Sequence, residues 1–469
     1  MTMQDVVNWV VWVSGFVIAI GVLQNAIYLS QLVLAWLALS RRTVVEDSSN
    51  VWGKLSDATM PISILAPAFN ESKGIVQSIR SLLSMYYPNF RVIVINDGST
   101  DDTLEQLVEA FRLVQVDRDY PMDIPHRPVR GIYTSEMHSR LLVIDKKNGG
   151  KADALNAGIN VARTPLICSV DADSVLESDA LLRAVEPFIQ DPARVVAVGG
   201  TVRLANGCLI ESGAVKKIAL PTNLLALFQV IEYLRAFLMG RLSLSSIDSL
   251  LIVSGAFGIF RRWVAVEVGG YSLGTVGEDM EIIVKIHRHL SEKERDYEVV
   301  FVPEPVCWTE APENLSTLAR QRRRWQRGTL ETFFKHGIML ANSRYGRAGI
   351  IGFLNILVSD VIAPVVELFG YLVMPIFYFS GLLSFEFFAA YLAMTFVFGI
   401  FLSVGALALE EMQIARFPRA RDLAVLTAVA VLENFGYRQI NNLWRIQGWL
   451  EFLRQERGWG AMERKGLSR

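Results

Sequence analysis

Residues 6–39, VVNWVVWVSGFVIAIGVLQNAIYLSQLVLAWLAL, carry no formally charged side chain. A helix that must hide such a run is long enough to cross a bilayer, which takes about 20 apolar residues. The run is too long for the core of a signal peptide, and no small-residue cleavage site lies nearby. We therefore expect a transmembrane segment within residues 1–42. Asp5 is the charge upstream, whereas Arg41 and Arg42 follow directly. The positive-inside rule then places the N-terminus outside and residue 41 onward in the cytoplasm.

One span does not account for the chain. Its 469 residues are 52% hydrophobic and 20% charged, with mean hydropathy +0.32. That is too oily for an ordinary soluble enzyme and too charged for a pure membrane bundle, so a soluble part and a membrane part are expected. A formal net charge of -1 gives no global attraction to nucleic acid. The 3 cysteines, Cys168, Cys208 and Cys307, are far apart and form no C-x-x-C pair. They read as a reducing compartment with neither a disulfide frame nor a zinc site. "HRH" at 287–289 puts its two rings on different sides of a helix, so it reads as surface helix rather than a metal site.

Residues 43–60 are polar and read as a linker. From 61 the pattern becomes α/β. "ISILAPA" (62–68), "RVIVIND" (91–97), "LLVID" (141–145) and "PLICSVD" (165–171) are short apolar runs separated by helical patterns at 74–85, 101–115 and 151–162. Short, fully apolar strands alternating with helices argue for a largely parallel sheet covered on both faces. Ligands of such sheets bind beyond the carboxyl ends of the strands. Asn70, Glu71, Asp97, Asp171 and Asp173 all fall there. Oily segments return at 348–383 and 385–409, and a weaker one covers 421–450. Pro364 and Pro375 interrupt the first, which suggests an interfacial helix joined to a span. The third holds Glu433, Asn434, Tyr437, Arg438, Gln439, Asn441 and Asn442. That face should line a protein or water interior, because lipid would penalise it. The basic tail favours an even number of crossings after 348, with either 348–365 or part of 421–450 lying in the interface.

Five stretches carry residues suited to chemistry. "INDGSTDDT" (95–103) places Asp97 at a strand end. It is either a capping turn or a carboxylate that accepts from a nucleobase NH. "NGGKADALNAG" (148–158) brings two glycines and Lys151 to a helix start, where backbone amides and a cation suit an anion. "DADS" (171–174) offers Asp171 and Asp173 as oxygen ligands for Mg2+ or Mn2+. "TVGEDMEIIVKIH" (275–287) sets Glu278 and Asp279 at another helix start, as simple capping or as a general base. "QRRRWQRG" (321–328) packs arginines around Trp325. Anchoring to lipid headgroups is one role, and holding a diphosphate beside a sugar-stacking ring is the other.

"APAFNES", "NDGSTDDT", "KADALNAG", "DADS", "GED" and "QRRRW" occur in the order and rough spacing of the membrane-integrated family 2 glycosyltransferases. The sequence resembles that family, which includes cellulose, chitin, hyaluronan and poly-N-acetylglucosamine synthases. The likeness covers about residues 61–330 well and the membrane layout more loosely. It implies a GT-A fold, a mostly parallel Rossmann-like sheet, flanked by transmembrane helices. It further implies inverting transfer from a UDP-sugar, with Mg2+ or Mn2+ as cofactor.

By position, Asn70, Glu71, Asp97, Lys151, Asp171, Gln321 and Arg324 would bind the donor, with Asp97 holding the uridine. Asp173 would be the main metal ligand and Asp279 the base. Gly277 stands where the family's T-E-D motif has its threonine. "VSGAFGIF" (253–260), with Gly255, Ala256 and Phe257, resembles the segment lining the acceptor site, to which Glu278 and Trp325 would also belong. "RGWGAMER" (457–464), with Trp459 and Gly460, resembles a gating loop.

The expected layout is a transmembrane segment over 1–42, a linker over 43–60 and a GT-A domain over 61–330. Interfacial and transmembrane helices follow over 331–450, with a cytoplasmic tail over 451–469. The leading functional reading is a synthase in the inner (cytoplasmic) membrane, multi-pass, with its catalytic domain cytoplasmic. It would polymerise a sugar onto a β-linked polysaccharide and pass the chain through its own helices, with small accessory membrane or export proteins as further partners. Single transfer to a lipid carrier is the alternative, and Q-x-x-R-W favours the processive reading. A transporter or sensor with a degenerate transferase domain would have lost its acids, yet Asp97, Asp173 and Asp279 are all present.

Overall fold

The structure is a computed structural model, and it describes residues 3–41, 59–172, 174–211, 213–413 and 419–456. Asp173, Trp459 and Gly460 lie outside the described residues. The chain divides into a helical unit (1–41, 223–249 and 312–461) and an α/β unit (42–222, 250–311 and 462–469).

The chain opens in the helical unit with α1, Met3–Ser40. The α/β unit then begins with β1 (Ile62–Ala68), α2 (Ile75–Leu83), β2 (Phe90–Asn96), α3 (Thr103–Phe111) and β3 (Leu113–Val116). It continues with β4 (Val129–Ser135), β5 (Leu141–Lys146), α4 (Lys151–Val161), β6 (Leu166–Val170) and β7 (Val175–Leu176). Next come α5 (Ala180–Gln190), β8 (Val195–Leu204) and a hairpin of β9 (Leu209–Glu211) and β10 (Ala214–Lys217).

The chain leaves this unit for α6 (Leu224–Leu234), which runs on through a π-helical stretch, Arg235–Arg241, into Leu242–Ser245. It returns for β11 (Phe257–Arg261), α7 (Glu278–Glu292) and β12 (Glu298–Thr309). The helical unit is completed by α8 (Leu315–Lys335), α9 (Ala348–Phe379), α10 (Phe385–Met412), α11 (Ala420–Leu432) and α12 (Tyr437–Leu453).

The large sheet has strand order β3-β4-β5-β2-β1-β6-β11-β8-β12-β7. Its centre, β5-β2-β1-β6, is parallel, as the apolar strand pattern requires. β11 enters antiparallel between β6 and β8, so the whole sheet is mixed. Every residue of β6 and of β8 is buried, which explains why these strands show no polar alternation. α2 buries Ile75, Ile79 and Leu82, the one-sided spacing of a helix lying on a sheet. The parallel register pairs Ala68 with Asn96 and Asn96 with Asp145. The residues that follow β1, β2, β5 and β6 therefore share one rim.

In the helical unit, Val10 and Val17 of α1 pack with Met374 and Phe377 of α9 and Tyr391 of α10. Among the described residues, α1 over Gln4–Ser40, α9 and α10 are long and apolar enough to cross a membrane. The 421–450 stretch contributes no such helix. It breaks after the 13 residues of α11, and Gly436 takes φ +107 at the start of α12. Pro364 does not end the helix that contains it. α9 stays helical through a π-helical stretch, Leu357–Ile362, just before the proline. A proline leaves the carbonyl four residues earlier without its partner. Here that carbonyl, of Asp360, accepts Gln326 Nε2 of α8 at 2.6 Å. The carbonyls of Ser359, Val361 and Pro364 accept from Arg445, Trp449 and Asn442 of α12 at 2.8, 3.2 and 3.1 Å. Neighbouring side chains thus supply what the helix cannot, the condition for irregular backbone at membrane depth.

Candidate active site

At the rim, Asn70 takes φ +56 just past β1, and its Oδ1 accepts the Thr100 amide at 2.8 Å. The Glu71 amide donates to Thr103 Oγ1 at 3.0 Å. Both residues therefore join the end of β1 to the turn after β2. Asp97 opens that turn and is 3% exposed. Its Oδ1 accepts Lys146 Nζ at 2.5 Å and the Gly149 amide at 3.1 Å, while Oδ2 accepts the Gly150 amide at 2.7 Å. Burial pushes the Asp97 carboxyl above its ordinary value, against the pull of Lys146 and the two glycine amides. The turn needs its glycine: Gly98 takes φ +69, and a Cβ there would lie 2.7 Å from the Asn148 amide nitrogen.

Lys146 and Asp153 were not singled out in the sequence. Lys146 is fully buried and also meets Asp153 Oδ1 at 2.5 Å. Asp153 in turn accepts the Arg127 amide. The available signal was a lysine ending the otherwise largely apolar strand LLVIDK, a position that demands a paired charge.

The glycine turn delivers Lys151 to the first turn of α4. Its Nζ lies 2.5 Å from Asp171 Oδ1 and 3.7 Å from Glu278 Oε1, and it donates to the Gly255 carbonyl at 3.3 Å. The Gly255 amide donates to Asp279 Oδ2 at 3.2 Å. A Cβ on Gly255 would lie 2.9 Å from Lys151 Nζ, so a small residue belongs there. Burial works to lower the Lys151 ammonium, but Asp171 and Glu278 outweigh it and hold it above its ordinary value. Ala256 and Phe257 continue from Gly255 into β11 and are buried. Residues from five separate sequence motifs thus meet along this rim: Asp97, Lys151, Asp171, Gly255 and the pair Glu278 and Asp279.

Gln321, Arg324 and Trp325 lie on α8, in the helical unit. Gln321 Oε1 accepts from Arg322 at 2.8 Å. Trp325 is 41% exposed, with the Arg322 guanidinium 4.2 Å from its ring centroid. Arg322 itself is buried and bonds Glu232 of α6 at 2.6 Å. Arg323 and Arg327 pair with Glu451 of α12. Three arginines of the cluster therefore join helices. "HRH" also divides. His287 is buried, with Nδ1 2.8 Å from the Tyr297 hydroxyl and Nε2 2.8 Å from the Leu250 carbonyl. It sits on the apolar face of α7 beside Ile283 and Ile286, which corrects the surface reading for that ring.

A parallel sheet centre, a rim of carboxylates with one lysine, and flanking membrane-length helices define a GT-A-type glycosyltransferase fold in a membrane protein. The profile described as "Glycosyl transferase family 2" matches residues 63–212, and that described as "Glycosyl transferase family group 2" matches residues 166–402. The chain belongs to glycosyl transferase family group 2. It is 29% identical over 274 residues to a poly-beta-1,6-N-acetyl-D-glucosamine synthase of Staphylococcus epidermidis, covering 58% of this chain and 56% of the relative. A protein of the same name from Staphylococcus aureus (strain COL) is 28% identical over 277 residues, with the same shares covered. The chain thus spans about half the length of the curated relatives it matches. A mannosyltransferase from Pyrobaculum calidifontis, solved in complex with GDP-Man and Mn2+, shares the fold. The TM-score is 0.54 at 18% identity, over 94% of this chain and 99% of that one.

Proposed function

We propose that the chain is an inverting, processive glycosyltransferase that moves a sugar from a UDP-sugar onto a β-linked polysaccharide. The observation that carries this reading is the meeting of Lys151, Asp171, Glu278 and Asp279 around Gly255. Asp279 takes the proton of an acceptor hydroxyl, the hydroxyl oxygen attacks the anomeric carbon, and the UDP–sugar bond breaks on the opposite face. Configuration therefore inverts. Asp97 faces the uridine, and Lys151 and Arg324 attract the diphosphate. Trp325 and the 255–257 segment receive the acceptor, while Trp459 and Gly460 belong to a loop that closes over the nucleotide. The names of the staphylococcal relatives make N-acetylglucosamine the first sugar to test.

The donor set suits a hard divalent cation. One ammonium, Lys151, lies among three carboxylates, and Asp171 offers an oxygen at the strand end. Among the described residues, no three His, Cys, Asp or Glu side chains form a closed metal cluster. Mg2+ tolerates that, since it takes few protein ligands and keeps water and phosphate oxygens. Asp173, with Asp171 beside it, would hold Mg2+ or Mn2+, which neutralises charge on the leaving diphosphate.

α1, α9 and α10 cross the inner membrane, keep the α/β unit cytoplasmic and guide the product outward. UDP release by the purified protein, measured across a panel of UDP-sugars, tests the reading. Release should be greatest with UDP-N-acetylglucosamine, vanish in EDTA and return with Mn2+ or Mg2+. Release from no UDP-sugar would defeat the donor assignment, and full activity in chelator would defeat the metal. A product one sugar long would favour single transfer to a lipid carrier.

A further inference from the structure

The turn Gly270–Tyr271–Ser272 is gripped from three sides. From α4, Asn156 Oδ1 accepts the Tyr271 amide at 2.7 Å, and Asn156 Nδ2 donates to the Tyr271 carbonyl at 2.9 Å. From α7, Lys285 Nζ donates to the Gly270 carbonyl at 2.6 Å and to Ser272 Oγ at 3.2 Å. From β11, the Phe260 ring meets the Tyr271 ring edge-on, 6.3 Å between centroids. Asn156 is 1% exposed and Tyr271 4%. The approach is close. Gly270 takes φ +67, and a Cβ there would lie 2.4 Å from Asn156 Oδ1.

The gripping elements are those that deliver the site. α4 carries Lys151, β11 begins two residues past Gly255, and α7 begins with Glu278 and Asp279. Asn156 lies little more than one turn beyond Lys151, so fixing one fixes the other. A side-chain amide bonded to both the NH and the CO of one residue copies a strand pairing. It sets register as well as proximity, which apolar packing at the same place would not do.

We propose that this turn is a positioning joint for transfer, an inference that rests on the function given above. Asn156, Tyr271 and Lys285 are positioning residues that hold α4, β11 and α7 where the Lys151 ammonium meets Asp171 and Glu278. The joint acts at one remove from the reacting atoms, so its loss should lower kcat more than it raises the donor KM.

The test uses the full chain with Asn156→Ala and Lys285→Met. UDP release from UDP-N-acetylglucosamine should show kcat falling ~10-fold or more in Asn156→Ala, with donor KM within ~3-fold, as misplacement of reacting groups predicts. A second readout needs no turnover. Acetylation of Lys151 by acetic anhydride at fixed pH, followed by peptide mass spectrometry, should speed up, because an amine no longer seated against Asp171, Glu278 and the Gly255 carbonyl is open to the reagent. Lys285→Met keeps the aliphatic stem and removes the bonds to Gly270 and Ser272, so it carries the test if Asn156→Ala fails to fold, with a smaller effect in the same direction. Variants that melt earlier yet keep wild-type kcat and wild-type Lys151 labelling would overturn the proposal and leave the turn as packing alone. Absence of turnover in the wild type would defeat the functional reading, while the labelling rates would still decide whether the turn positions Lys151.

Discussion

The two units both hold charges out of water, and they balance them differently. In the helical unit acids meet bases: Glu232 with Arg322, Glu433 with Arg235, Asp360 with Arg445 and Glu451 with Arg323. Ser403 and Tyr437 add hydrogen bonds to Glu433 and Glu232. Burial works to raise the Glu232 carboxyl, and Arg322 more than offsets it, holding it below its ordinary value. At the rim of the α/β unit, one lysine serves Asp171 and Glu278, and Asp279 adds a third carboxylate. Three carboxylates gathered around one lysine, partly shielded from water, mark a place suited to a bound cation. Residue type alone therefore does not separate scaffold from site; the local sum of charge does.

The sharpest way to break this contrast is at the surplus. Asp279→Asn keeps the shape of the side chain and its contact with the Gly255 amide, but the amide takes no proton. Transfer should fall by at least ~10²-fold, the range for loss of a general base. Binding of the UDP-sugar, measured by calorimetry, should persist. Turnover near the wild-type rate would move the base elsewhere and make Asp279 a helix cap.

The balanced unit should respond in stability instead. Glu232→Leu strands the buried Arg322, and removing one partner of such a pair costs about 3–5 kcal/mol. Glu232→Leu combined with Arg322→Met removes both charges and should recover most of that loss. Thermal unfolding in detergent reads both. A double variant no better than the single one would show that the pair does more than balance itself.

The sequence showed the parallel centre because β1, β2, β5 and β6 are short, apolar and buried on both faces, a pattern with few other meanings. It also brought Asn70, Glu71, Asp97 and Asp171 to one rim, since the residues past parallel strands must share an edge; Asp279, at a helix start after an antiparallel strand, was reached only through the family resemblance. It did not show that 223–249 leaves the α/β unit for the helical one. That stretch is an amphipathic helix like any other, and only its partners reveal which unit it joins. The polar face of 433–445 was legible as interior, but its duties were not. Gln439 caps α12 through the Gly436 amide, and Asn442 and Arg445 answer carbonyls around Pro364. Such bonds depend on where a proline leaves a gap in a neighbouring helix, and no local pattern records that.

The smallest expected change in stability sharpens the comparison most. Trp325 is an exposed aromatic ring on a helix where Arg322, Arg323 and Arg327 are occupied by acids. Glu232 fixes Arg322, Arg322 stacks on Trp325, and the Tyr233 ring lies 6.5 Å away between centroids. The ring is thus held in place without being buried, a waste of apolar surface unless something lies against it. The apolar face of a β-linked sugar suits it, because stacking is weakly directional and tolerates sliding. Trp325→Ala gives up an exposed cation–π contact of about 0.5–1 kcal/mol, so the melting temperature should barely move. The donor KM should also hold, since Asp97 and Lys151 are untouched. Product length should shorten, and Trp325→Phe should restore part of it by keeping a stacking face. Chromatography of the polymer beside UDP release separates the outcomes. Unchanged length would make Trp325 a membrane-interface anchor. A fall in donor affinity together with length would mean that the balanced unit takes part in holding the nucleotide, and the division between scaffold and site would have to be redrawn through α8.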